Sequence, residues 1–280
     1  MKNRKYLLAA LICAAVFAFS IAASGQVRRS VTKTDRFDFG AGGSVTLIGA
    51  PEGAVTIRSG TRNEIEITAV STLTAPTDAD AAKFSGSMGF VTQESLGRTT
   101  IISVGPGIKK DQKKIDSKTA KSLKGVKFSI DYTITVPRFC DLDLNIGTGA
   151  LSIEGVEGSI KVNAISSDAR LNLIGGSVAA IFGGGSVNAK MPDRSWRGGP
   201  IDIQVATGDL TVELPAALSA ELDATILRTG EIEYSIGNVK PRDRNTPFTE
   251  KQMRARAGSG GVAMRFTVGD GKLRLVPLGK

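Results

Sequence analysis

From Asp141 to Ala217 the sequence divides into consecutive windows of nine residues: DLDLNIGTG, ALSIEGVEG, SIKVNAISS, DARLNLIGG, SVAAIFGGG and SVNAKMPDR, then, after the insert SWRGG, PIDIQVATG and DLTVELPAA. The second position is apolar in every window: Leu142, Leu151, Ile160, Ala169, Val178, Val187, Ile201 and Leu210. The fourth is apolar throughout, and the sixth everywhere except at Gly155. Positions three and five are polar except at Ala179 and Ile181. Alternation with a period of two puts one set of side chains on each face of a strand. Each window therefore reads as a short strand followed by a turn, with glycine at the turns because it enters positive φ without a Cβ penalty.

A lone strand of this length cannot bury its apolar face, so successive windows must stack and share a core. Two windows make a unit of 18 residues. In that unit Leu142, Ile160, Val178 and Ile201 stack in one column, and Leu151, Ala169, Val187 and Leu210 in another. The expected fold class is all-β: a β-solenoid of short stacked strands, about 18 residues per coil, with N- and C-terminal capping strands. The pattern resumes as SAELDATIL and EIEYSIGNV, and GVAMRFTVGDGKLRLVPL reads as a closing hairpin, the candidate C-terminal cap.

Upstream, residues 30–70 carry looser alternation, at Val45 and Leu47, Val55 and Ile57, and Ile65 and Ile67, and read as N-terminal capping strands. Residues 71–125 read as an irregular insertion holding an Ala-rich helical turn, a strand pair (FVTQES and RTTIISVG) and a lysine-rich loop. Residues 126–280 form the solenoid and its cap. Residues 1–25 read as a signal peptide: Lys2, Arg4 and Lys5 precede an apolar run from Tyr6 to Phe19, and small residues follow it. Cleavage is expected near Ser24 or Gly25, with retention as an anchor the alternative, which makes the protein exported to the periplasm, outer envelope or exterior. No transmembrane span is expected after cleavage.

Charge is concentrated in one place. The formal net charge is +9, of which the leader holds three, leaving +6. Residues 107–127 contain eight lysines (109, 110, 113, 114, 118, 121, 124 and 127) against Asp111 and Asp116, so that segment alone accounts for the excess. Lys109, Lys110, Lys113 and Lys114 are candidate contacts for anionic envelope glycans or lipids, which suit lysine point charges; the plainer reading is a solvated insert. Nucleic acid is disfavoured, because no aromatics are interleaved with these lysines.

Trp196, the only tryptophan, lies in the insert with Arg194 and Arg197 close by. It is a candidate for stacking on a sugar or filling a partner's pocket, against the simpler task of covering the core edge where the insert leaves. The absence of histidine removes the usual general base and the commonest metal ligand. Asp168 and Asp209 share a place in the repeat two coils apart, which sets their backbones roughly 10 Å apart, near the upper end of carboxylate separations in inverting glycosidases, and so suggests a polysaccharide-acting β-helix enzyme; the competing reading is that Asp suits the turn. No recurring acid follows the glycines, as a calcium-binding roll requires, and the Gly183-Gly184-Gly185-Ser186 run lacks the lysine of a phosphate loop. No cofactor, metal or catalytic residue is expected. Cys140, alone once the leader is gone, reads as a buried inert thiol.

The leader, GSVTLIGAPEGAVTIRSG, the Val-Pro before DLDLNIGTGALSIEGVEGSIKV, and the segments VATGDLTVELP and GDGKLRL together resemble the bacterial putative adhesin family. The resemblance covers about Gly40 to Val70 and Val126 to Leu278. It implies an exported β-solenoid domain, similar to autotransporter adhesin heads, with a binding or scaffolding role and no defined catalytic residues. Two alternatives stand beside it: the polysaccharide-acting enzyme, and a periplasmic partner of another envelope protein in envelope regulation.

Overall fold

The computed structural model describes residues 26–40, 42–106, 108, 124–193 and 196–279. The leader and most of the lysine-rich stretch lie outside them. Alternation becomes strand, and it does so in two phases. In β8 (Asp141–Glu154) Leu142, Leu144 and Ile146 are buried, Thr148 to Ala150 are exposed, and burial resumes at Leu151 and Ile153. The inward positions thus pass from even to odd numbers within one strand. Successive side chains point to opposite faces, so the two sets share a core only if the strand bends at Thr148-Gly149-Ala150. In β9 (Gly158–Asn172) the same step separates Ile160, Val162 and Ala164 from Ala169 and Leu171.

β8 and β9 pair in parallel along both arms, with Leu142 opposite Ile160 and Leu151 opposite Ala169. The next strands carry one arm each. β10 (Gly176–Phe182) pairs with the first arm of β9 and β11 (Val187–Lys190) with the second, again in parallel. β12 (Gly198–Thr207) and β13 (Leu210–Leu214) follow in the same manner. Leu142, Ile160, Val178 and Ile201 therefore stand side by side on successive strands, as do Leu151, Ala169, Val187 and Leu210. The register of β10 with β12 shifts by one residue between Gly176 and Val178.

On the N-terminal side β2 (Ser44–Glu52) and β3 (Val55–Gly60) lie in parallel against the two arms of β8. They are interior strands. The edge on the β3 side is built by β7 (Lys127–Pro137), β4 (Glu64–Ala75) and β1 (Val27–Asp38), where β4 runs antiparallel to both of the others. Beyond β2 come β6 (Arg98–Val104), in parallel, and β5 (Gly89–Ser95), antiparallel to β6. The strand pair expected within the insertion is thus formed by β5 and β6, and through β6 it joins the same sheet as the repeat. The Ala-rich turn is realised as α1 (Asp78–Ser85), started by Thr77, whose hydroxyl accepts the Asp80 N–H at 3.1 Å.

The C-terminal hairpin is overturned. β18 (Val262–Asp270) pairs in parallel with β12 on one side and β14 (Ala220–Thr229) on the other; β19 (Leu273–Pro277) does so with β13 and β15 (Ile232–Tyr234). The last strands of the chain are therefore interior. Those beyond them are β14, β15, β17 (Gln252–Ala257) and β16 (Val239–Pro241), the last two antiparallel. Two alternating runs joined by Gly-Asp-Gly are the usual sign of a hairpin. Here Met264, Phe266 and Val268 change phase to Leu273 and Leu275 around Gly271, as β8 does around Gly149, and the chain bends onward instead of reversing.

The fold class is all-β: the described strands form one nineteen-stranded sheet. Their inward side chains make a single continuous hydrophobic cluster from Phe39 to Leu275.

Candidate functional site

The carboxylates that suggested an enzyme are tied into the sheet. Asp168 accepts the Ser186 N–H at 2.9 Å. Asp209 accepts the Lys272 N–H at 2.9 Å through one oxygen and Arg274 Nη1 at 3.0 Å through the other. The Lys272 N–H, and after it the Arg274 guanidinium, hold Asp209 below the usual carboxylate range. A general acid at neutral pH needs the opposite displacement. Asp141 and Asp131 make the same type of bond, to Ser159 N–H (2.7 Å) and Ala54 N–H (2.8 Å). Each of these aspartates fastens the start of the neighbouring strand.

Charges on the outer face run in rows. Asp143, Lys161, Ala179, Asp202, Arg265, Asp223 and Arg254 follow one another across adjacent strands. Arg265 lies 3.5 Å from Asp202, while Arg242 reaches Asp223 at 3.2 Å. On the other arm Arg274 bridges Asp209 and Glu233, and Lys272 bridges Glu231 and Glu233. Exposed pairs of this type add little stability singly, but they leave these rows close to neutral.

Trp196 is half-buried against the core, and its indole N–H donates to the Gly199 carbonyl at 3.0 Å. Arg197 is exposed beside Trp196, whereas Arg194 lies outside the described residues, as do Lys109, Lys110, Lys113 and Lys114. Cys140 is buried, and burial, followed by the charge of Asp141, pushes its thiol up to about 12. Among the described residues no group of three or more Cys, Asp or Glu side chains is placed to hold a metal ion, and no helix is long and apolar enough to cross a membrane.

One surface was not anticipated. An open groove of about 650 Å³ crosses the sheet beside the bend, lined by Ile108, Ile146, Ile165 and Ile181, with the amides of Asn145 and Asn163 on its floor. Ile165 and Ile181 are 70% and 51% exposed, where outward positions are otherwise mostly polar. The sequence signal was Ile181, an isoleucine at a polar position of the repeat.

Neither a protein-family model nor a curated protein matches the chain. Among solved structures it is similar to a putative cell adhesion protein from Clostridium sporogenes, at 10% identity over 89% of this chain and 100% of that one, with a TM-score of 0.46. It is also similar to a putative adhesin from Bacteroides fragilis, at 11% identity over 89% of this chain and 97% of that one, with a TM-score of 0.41.

Proposed function

We propose that this chain is an exported, non-catalytic β-solenoid protein of the cell envelope, with an adhesin-like role, that binds anionic envelope material through its lysine-rich segment. The observation that carries the reading is the distribution of charge. Rows of ion pairs occupy the strand faces, while the excess of +6 falls within residues 107–127. Concentrated lysines attract polyanions at long range and without stereospecific contacts. The parallel register of β8, β9, β10 and β11, eighteen residues from strand to strand as in the Ser186 to Asp168 bond, supports a coil of that length. The leader supports export. Trp196, Arg194 and Arg197 are a secondary contact in this proposal.

The test is co-sedimentation of a chain lacking residues 1–25 with isolated envelope fractions at low salt and at about 1 M salt, where the Debye length falls to about 3 Å. Binding is expected at low salt only, and it should be lost when Lys109, Lys110, Lys113 and Lys114 are changed to glutamine. Binding indifferent to salt and to these changes overturns the proposal. Hydrolysis of envelope glycans that disappears in Asp168→Asn or Asp209→Asn overturns its non-catalytic part.

A further inference from the structure

The geometry points to a binding site for a phosphorylated sugar at the C-terminal end of the outer charged row, separate from the lysine-rich segment. Arg265 on β18, Asp223 on β14 and Arg254 on β17 lie opposite one another on adjacent strands. At ordinary strand spacing the two arginine backbones are roughly 10 Å apart, with the carboxylate between them. Arg242, directly after β16, is fixed beside this row. Its backbone N–H donates to the Arg254 carbonyl at 2.9 Å, and its guanidinium meets Glu221 at 2.7 Å and Asp223 at 3.2 Å. Together with Thr225 and Gln252, which pair across β14 and β17, these residues line a hollow of about 320 Å³.

The row is neutral over most of its length, but the hollow is not: three guanidiniums face one carboxylate, which leaves a local charge of +2. The three are unequally engaged. Arg242 is held by Glu221 and Asp223, whereas Arg265 keeps Asp202 at 3.5 Å, long for a hydrogen bond. The Arg254 guanidinium is exposed and has no partner among the described residues. Planar guanidinium forks match phosphate oxygens two at a time. A phosphate monoester, at about −1.5 to −2 near pH 7, balances the local excess, where a single carboxylate leaves about half of it. The hollow also exceeds what a phosphate group fills, since it falls at the small end of the roughly 300–1,000 Å³ of small-molecule sites. All six lining residues are polar, so the carrier of the phosphate meets the Thr225 hydroxyl and the Gln252 amide and no apolar side chain. That lining suits a hydroxyl-rich sugar, free or within a phosphorylated glycan, and disfavours an acyl chain.

The backbone amides of the isotope-labelled chain lacking residues 1–25 are followed by NMR during titration with glucose-6-phosphate, inorganic phosphate, glucuronate and glucose. Saturable shifts are expected at Thr225, Gln252 and Arg254 with glucose-6-phosphate, weaker binding with inorganic phosphate and glucuronate, and none with glucose. Arg254→Gln should weaken glucose-6-phosphate about tenfold or more, through loss of a charge-assisted hydrogen bond. Arg265→Gln should act in the same direction. Both side chains are exposed, so neither change disturbs the core. Arg170→Gln, at an exposed arginine on the second arm of β9, controls for net charge and should leave the affinity unchanged. So should changing Lys109, Lys110, Lys113 and Lys114 to glutamine. Shifts that do not saturate, or that keep full affinity when Arg254→Gln and Arg265→Gln are combined, overturn the proposal, as does an affinity that follows the four lysines. Equal affinity for glucose or glucuronate overturns its phosphate half, and equal affinity for inorganic phosphate its sugar half. Failure here is separable from failure of the envelope-binding reading, which stands if co-sedimentation is lost with the lysines, whatever the hollow binds.

Discussion

Gly208 shows how closely backbone and neighbour constrain a single position. Its φ of 130° belongs to the region that disfavours any side chain, and a Cβ there would overlap the carbonyl oxygen of Gly185 in the turn between β10 and β11. Gly208→Ala should lower stability by about 2–4 kcal/mol in urea titrations, combining backbone strain with displacement of a packed turn. Gly86→Ala, at a φ of −77° with open space around it, should stay within about 0.5 kcal/mol. Ser167, opposite Gly149 at the bend, is buried with no hydrogen-bond partner for its hydroxyl among the described residues. Ser167→Ala should therefore be neutral or stabilising by about 1 kcal/mol, because it removes a polar group that is desolvated and unpaired. Cys140 and Tyr132 govern the alkaline side. Burial pushes the Tyr132 phenol, bonded to Ser103 at 2.8 Å, up to about 12, as it does the Cys140 thiol. In the unfolded chain these groups ionise near ~8.5 for Cys and ~10 for Tyr. The unfolded state thus loses protons first, so this stability is whole below about pH 8.5 and drains away as pH climbs towards 12. Urea midpoints measured from pH 8 to 11 should fall, and Cys140→Ala should delay the onset of the fall.

Elements hold together here through caps that belong to the neighbouring strand. Asp209 at the start of β13 accepts the Lys272 N–H ahead of β19, so removing its carboxylate releases a strand 63 residues away in sequence. Asp209→Ala should cost about 1 kcal/mol after allowance for its partial exposure, and Asp209→Asn less, since an amide oxygen still accepts the N–H. Thermal unfolding of the two variants at pH 7 separates the cap from the charge. The hydrogen bond from Lys272 lowers the folded-state pKa of Asp209, and the Arg228 hydrogen bond does the same to Asp270. These contributions are present above the unfolded carboxylate range, near ~3.9, and are lost as pH falls through the lower folded values. Wild type should therefore lose stability below about pH 4, and the Asp209→Ala variant should lose less of it.

At the scale of the whole molecule, the position of β18 and β19 between earlier strands makes the C-terminus a structural keystone. A chain ending at Ser259 keeps β14 and β15 but removes the strands that join them to β12 and β13. Such a truncation should expose residues 215–259 to rapid proteolysis and reduce cooperativity in denaturant, while the portion from β1 to β13 stays protected. If β18 and β19 formed a peripheral hairpin, the same truncation would cost little. Mass spectrometry of limited digests decides between the outcomes.

The inward columns were legible in the sequence. Leu142 with Ile160, and Leu151 with Ala169, follow from period-two alternation at fixed spacing, because neighbouring windows of one composition bury their faces only against each other. The aspartates at strand starts were legible as turn residues, though their partners on the adjacent strand were not. What tertiary structure alone decided was neighbour order. VAMRFTVGDGKLRL carries the alternation of any other unit in the repeat, and alternation specifies which way a side chain points without specifying which strand lies beside it. Parallel pairing joins residues far apart in the chain, so the place of β18 between β12 and β14 was settled by the fit of Met264 and Phe266 between Ile201 and Ile203 on one side and Leu222 and Ala224 on the other. The apolar groove arises in the same way, since Ala50 and Ile181 line one surface only when the strands between them are stacked.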